Sequence, residues 1–228
     1  MKMVVIATTI VWSLALASSP LQATIILETA SPGPAPSGSF GTVLASYQFI
    51  GARFTLNQPM QIDSIGGHLR GTGTLFGAIV SLSSPTALPS GGPFAAGVVK
   101  ATVVFNAPSP SAQMTIPLPV LLEPGSYALV YGSGLFGATG SGSLVRNNID
   151  IPAQSSTLGW FESTPGSWRW NNLTDSAQTA RRLVIEGHAV PEPSSVALVI
   201  AGLVTCAALG ARQRGYLAFG FRGTGPVV

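Results

Sequence analysis

Apolar side chains in the middle of this chain recur every second residue rather than every third or fourth, the period of a strand and not of a helix. Gln48 to Leu56 puts Ile50, Ala52, Phe54 and Leu56 on one face, with Phe49, Gly51, Arg53 and Thr55 on the other. Leu75 to Leu82 alternates in the same way, with Phe76, Ala78, Val80 and Leu82 inward, and Val98 to Phe105 turns Val99, Ala101, Val103 and Phe105 inward. Each pattern predicts a half-buried strand. In Gln61 to Arg70 the apolar phase slips between Ile62 and the set Ile65, Gly67 and Leu69, which predicts an extra residue, a β-bulge, at Asp63-Ser64. Further strands are predicted at Thr24 to Glu28, Ala112 to Ile116, Ser126 to Tyr131, Leu158 to Phe161, Ser167 to Asn171 and Arg182 to His188.

Between these segments Gly and Pro recur too often for long helices. Glu123-Pro124-Gly125-Ser126 has Pro second and Gly third, the arrangement of a type II turn that would start the strand at Ser126. Ser31 to Ser39, Ser83 to Gly92 and Ala107 to Ser111 are Pro- and Ser-rich and predict loops. Strands of this number and spacing predict an all-β domain, an antiparallel β-sandwich or jelly roll, over residues 24–189.

The two ends of the chain carry a different signal. Lys2, the apolar run Met3 to Leu16 and the small and polar stretch Ala17 to Ala23 have the three regions of a secretory signal peptide, with a helix over the apolar run. Cleavage after Ala23 gives a mature chain starting at Thr24, with a second site at Ala15-Leu16-Ala17 open. Near the other end, Ser195 to Ala211 is apolar and uncharged, and as a helix it would be about 25 Å long, close to the lower limit for spanning a bilayer. Arg212 and Arg214 follow at once, and the positive-inside rule puts that end and the tail 215–228 in the cytoplasm, with everything before Val190 outside.

Val190-Pro191-Glu192-Pro193, the apolar segment and the basic stop at Arg212 and Arg214 together resemble the PEP-CTERM sorting signal of bacterial exported proteins. The resemblance covers residues 190–214 and implies three things: an exosortase-type sorting transpeptidase as partner, a single-pass stay in the inner membrane, and delivery to the envelope or an extracellular matrix such as a biofilm. Thr55 to Tyr131, with its short Pro-Ser loops and LLEPGSYALVYG, is similar to the choice-of-anchor β-sandwich domains that precede such signals. That second resemblance implies a fold and no activity.

Charge sharpens this picture. The chain has a net charge of +3, yet the seven Lys and Arg between Thr24 and Ala189 balance seven Asp and Glu, so the basic excess belongs to the ends. A nucleic-acid partner, which needs clustered cations, is not expected. The single cysteine, Cys206, lies in the apolar segment, so the domain must be held by packing without a disulfide.

Candidate chemistry is sparse. Gly132-Ser133-Gly134-Leu135-Phe136-Gly137 matches GxGxxG, but Ala138 to Ser143 (ATGSGS) cannot open the helix that a dinucleotide site requires, and a flexible hairpin loop is expected. No metal motif, cofactor motif or catalytic triad pattern occurs. The alternation turns His68 toward solvent. Glu123, Asp150, Glu162 and Asp175 could meet in space as a glycosidase pair, although nothing in their spacing selects two of them. The aromatic segment is richer: Trp168 and Trp170 share a strand face, Trp160 and Phe161 precede them, and Asn171 and Asn172 follow. Rings beside amides are the parts of a sugar platform, and Trp160, Trp168, Trp170, Asn171 and Asn172 are its candidate residues. Two readings compete with it: the same face is buried in the core, where large aromatics usually sit and which is the expected outcome for at least one of Trp168 and Trp170, or it contacts another surface protein. Two functions follow, a noncatalytic surface or matrix protein with a structural or adhesive sandwich, and a secreted carbohydrate-binding or carbohydrate-active protein, the former expected, with exopolysaccharide as a partner in either case.

Overall fold

A computed structural model describes residues 23–33, 41–147, 157–173, 181–190 and 202. The signal-peptide segment, Glu192, Arg212, Arg214 and the apolar run other than Gly202 lie outside the described residues. The chain divides into two units, Met1–Ala189 and Val190–Val228. Among the described residues the first contains twelve strands: β1 (Thr24–Glu28), β2 (Thr42–Leu44), β3 (Phe49–Leu56), β4 (Met60–Thr72), β5 (Thr74–Leu82), β6 (Val99–Asn106), β7 (Ala112–Leu122), β8 (Gly125–Gly132), β9 (Ser141–Leu144), β10 (Thr157–Thr164), β11 (Ser167–Asn172) and β12 (Leu183–Ala189).

They form two antiparallel six-stranded sheets. Sheet I has β4 at its centre, with β7 along one side. Along the other side β12 pairs with Met60 to Gly67 and β9 with Leu69 to Thr72, while β1 and β2 lie beyond them. Sheet II runs β11-β10-β3-β8-β5-β6. Phase decides what lies between the sheets: Ile50, Phe54, Ile79, Leu129 and Tyr131 from sheet II meet Ile62, Ile65, Leu69, Leu144 and Ile185 from sheet I. The hydroxyl of fully buried Tyr131 enters this layer, crossing from β8 to donate to the Gly66 carbonyl of β4 at 3.0 Å. Burial raises the pKa of that phenol, so it stays a neutral donor.

The bulge in β4 falls where the phase slip puts it. Ser64 pairs with Glu186 and Ile62 with Gly187, so Asp63 is the extra residue, and it accepts a hydrogen bond from His188 Nδ1 at 3.0 Å. β7 runs on to Leu122 through Pro117 and Pro119, both exposed, which a strand tolerates only at a sheet edge where no neighbour needs their missing N–H. β2 and β9, of three and four residues, are too short for alternation to reveal.

Sheet II departs from the half-buried expectation. β3, β8 and β5 are buried on both faces, because Leu88 and Phe94 of the connection between β5 and β6 pack on the outer face. Arg53, expected outward in solvent, is covered by this connection and donates from Nε to the Ala87 carbonyl at 2.9 Å. In β5 the inward set is also reversed. Leu75 and Ile79 face sheet I, and Phe76, Ala78 and Val80 belong to a second, outer core.

The pairings align a row across that outer face: Trp170 beside Trp160, then Phe49, Gly132, Phe76 and Val104. Gly132 is the gap that lets Phe49 and Phe76 meet edge to face, 5.2 Å between centroids, across the intervening strand. A Cβ at Gly132 would lie 2.2 Å from Phe49 Cδ1. Two further expectations fail. Gly125 is not among the glycines with positive φ, so Glu123 to Ser126 is not a type II turn and the strand already starts at Gly125. His68 is buried rather than solvent-facing, because residues 145–147 fold over its face of sheet I and its Nδ1 lies 2.9 Å from Asn147 Oδ1.

Two stability measurements follow. Phe54→Ala, in the inter-sheet core, should cost about 3 to 5 kcal/mol in denaturant unfolding, whereas exposed Thr55→Ala should cost under ~0.5 kcal/mol; equal losses would put the phase of β3 in error. Gly132→Ala should cost about 1 to 3 kcal/mol by forcing Phe49 and Phe76 apart, and a melt matching the wild type would refute the row.

Candidate functional site

A cleft of about 400 Å³ lies at the end of sheet II, lined by Thr42, Tyr47, Gln48, Ile50, Phe161, Glu162, Trp168 and Leu173. Its position follows from strand lengths. β3 pairs with β10 only over Thr157 to Trp160, so the rest of the β10–β11 hairpin projects past the start of β3. The hairpin turns at Thr164-Pro165-Gly166-Ser167, and Gly166 has a φ of 80°, a left-handed conformation that glycine adopts without a Cβ clash and that a type II turn requires at its third position. Glu162 Oε1 accepts a hydrogen bond from the Gly166 N–H and fastens this turn. Opposite it, Ala45 and Gln48 exchange backbone hydrogen bonds of 3.1 and 3.2 Å, closing the tight turn that presents Tyr47.

The aromatic candidates separate into core and surface. Trp160 (8% exposed) and Trp170 (6% exposed) sit in the outer core, with rings 5.7 Å apart. The Trp170 ring lies 5.6 Å from Phe94, and its Nε1 donates to the Pro93 carbonyl at 2.7 Å. Of the candidate rings, Trp160 and Trp170 therefore follow the core reading, packed among the protein's own side chains. Trp168, paired with Glu162 one step nearer the turn, is 41% exposed. Asn171 donates to the Arg169 carbonyl at 2.9 Å and Asn172 is exposed. Neither amide lines the cleft. Tyr47, 53% exposed, and Gln48 join Trp168 in their place. The Pro165-Gly166 turn signal, which pairs Trp160 with Trp170, was available in the sequence, but the approach of Tyr47 was not, because it depends on the short strand β2.

The other motifs are structural. The Gly132 to Gly137 segment leads from β8 to β9 with no helix, and Ser133 Oγ donates to the Gly140 carbonyl at 2.6 Å. Phe136 takes a left-handed φ of 54° and sets its ring edge-on to Phe76 at 5.2 Å, extending the outer core. Among the described residues no group of three His, Cys, Asp or Glu could hold a metal ion, and Glu162 is the one carboxylate lining the cleft. Glu123 opens the connection from β7 to β8, where its carbonyl accepts from Tyr127 at 2.8 Å, while Asp150 and Asp175 lie outside the described residues. Neither a protein-family model nor a curated protein matches the chain.

Burial separates the tryptophans in a measurable way. Trp170→Ala should lower stability by about 3 to 5 kcal/mol, and Trp168→Ala by under ~1 kcal/mol. Thermal melts of the two single variants check this, and comparable losses would contradict the division into core and surface rings.

Proposed function

We propose that this chain is a noncatalytic exported protein of the cell surface or extracellular matrix, with its β-sandwich serving as a structural and adhesive module. The observation that carries this reading is where the sandwich begins and ends. Its first strand starts at Thr24, directly after the expected cleavage point at Ala23, and its last strand stops at Ala189, directly before Val190-Pro191-Glu192-Pro193. These two strands are neighbours, pairing from Thr24 with Gly187 to Glu28 with Val184. Arg182 Nε also donates to Glu28 Oε1 at 2.7 Å across the same junction.

Removal of a signal peptide and processing near Pro191-Glu192-Pro193 would therefore leave all the described strands in place. A domain that must survive two cuts outside the cell needs that property. It also needs a core that does not depend on a disulfide, and the two apolar layers on either side of sheet II supply one. In this reading an exosortase-type transpeptidase acts on the Pro-Glu-Pro motif, the segment 195–211 holds the precursor in the inner membrane as a helix, and Arg212 and Arg214 keep the tail 215–228 inside. The sandwich then faces the envelope or matrix.

Processing is tested in a bacterial host that carries such a transpeptidase. Glu192→Ala should leave the precursor at full mass in the membrane fraction, and replacing both Arg212 and Arg214 by Ser should disturb its orientation. Wild-type levels of mature protein at the surface for both variants would remove the sorting reading.

A further inference from the structure

We propose that the cleft under the β10–β11 hairpin binds a neutral oligosaccharide, taking one or two pyranose rings between Trp168 and Tyr47. The proposal deepens the adhesive reading above and rests on it for its setting outside the cell. Strand register supplies the first support. The buried pair Trp170 and Trp160 is followed toward the hairpin turn by the pair Trp168 and Glu162, and Tyr47, in the tight turn before β3, lines the same cleft. Among the described residues no loop covers these rings: Trp168 and Tyr47 remain 41% and 53% exposed.

The chemistry of the lining supplies the second. Aromatic faces cover the C–H face of a sugar ring, while hydroxyls that both donate and accept need mixed polar partners. Glu162 and Gln48 add polar acceptors and donors to the same lining. Glu162 is already oriented through its Oε1, which leaves Oε2 for a ligand hydroxyl among the described residues. Those polar groups disfavour a purely apolar guest. Because the one charged group lining the cleft among the described residues is acidic, it also disfavours uronic acids and phosphates. The volume, about 400 Å³, is in the lower part of the range for small-molecule sites, so the remainder of a longer glycan would stay outside.

Isothermal titration calorimetry of the full-length chain in mild detergent, with cellohexaose, mannohexaose, chitohexaose and the uronic-acid polymer alginate as probes, tests the site. At least one neutral hexamer should bind saturably at low millimolar concentration or below, and alginate should not. Trp168→Ala and Tyr47→Ala should each weaken that binding about tenfold or more while retaining a near-wild-type melt. The absence of binding by every neutral hexamer, binding of alginate alone, or affinity unchanged in both variants would overturn the proposal. Its failure is separable from that of the sorting reading: sugar binding by a chain that never reaches the surface removes only the sorting, and surface display without sugar binding removes only the site.

Discussion

Sheet II has to be covered on both faces, and most of the molecule is arranged around that requirement. Its three central strands carry large apolar groups in both phases, Ile50, Phe54 and Leu129 toward sheet I and Phe49, Phe76 and Val130 away from it. A two-layer sandwich buries only one face of each sheet. The second face is closed here by chain that sequence pattern assigns to loops. Phe94 brings a ring 6.2 Å from Phe49, Leu88 packs beside it, and Arg53 ties the connection down at the Ala87 carbonyl. At about 1.5 to 3 kcal/mol for each large side chain removed from water, this outer layer is a substantial part of the stability of a domain whose described residues contain no cysteine.

That constraint also determines which aromatic groups are left for chemistry. Trp160 and Trp170 align with Phe49 and are consumed by the outer core, and the Trp170 indole N–H is satisfied by the Pro93 carbonyl. Coverage ends where β3 begins. Beyond it the hairpin continues alone, and Trp168 emerges at the rim of a cleft with Tyr47 and Glu162. Core and candidate site are thus consecutive steps along one pair of strands, separated by the reach of the covering connection.

Sheet I solves its own exposure differently. Its outer face carries polar links between neighbouring strands: Arg182 to Glu28 and Gln113, and Ser64 Oγ to Glu186 Oε2 at 2.8 Å. Its edge strand β7 is blunted by Pro117 and Pro119, which cannot donate to a further strand. β4 carries the extra residue Asp63 against β12, while on its other side the extra residue lies in β7 between Pro117 and Val120, so both pairings of β4 shift at the same level of the sheet.

The sequence by itself determined the strand character of the domain, the positions of β1, β3, β5, β6 and β12 to within a residue or two, and the bulge at Asp63. Period-two alternation and its slips are local properties that no distant partner can alter. It also located the tryptophan pair and the lack of a metal or nucleotide motif. Only the tertiary structure decided which face of each strand was interior, because a strand apolar in both phases gives no preferred side until a second layer arrives. That is why Val80 and Phe76 lie in the outer core, why Arg53 and His68 are buried, and why Gly132 is the residue that lets Phe49 and Phe76 touch. The cleft shows the same division. Trp168 and Glu162 are linked by a hairpin that Pro165-Gly166 encodes locally, whereas Tyr47 reaches them through a three-residue strand and a pairing with residues far away in the chain, and pattern carries no information about such contacts.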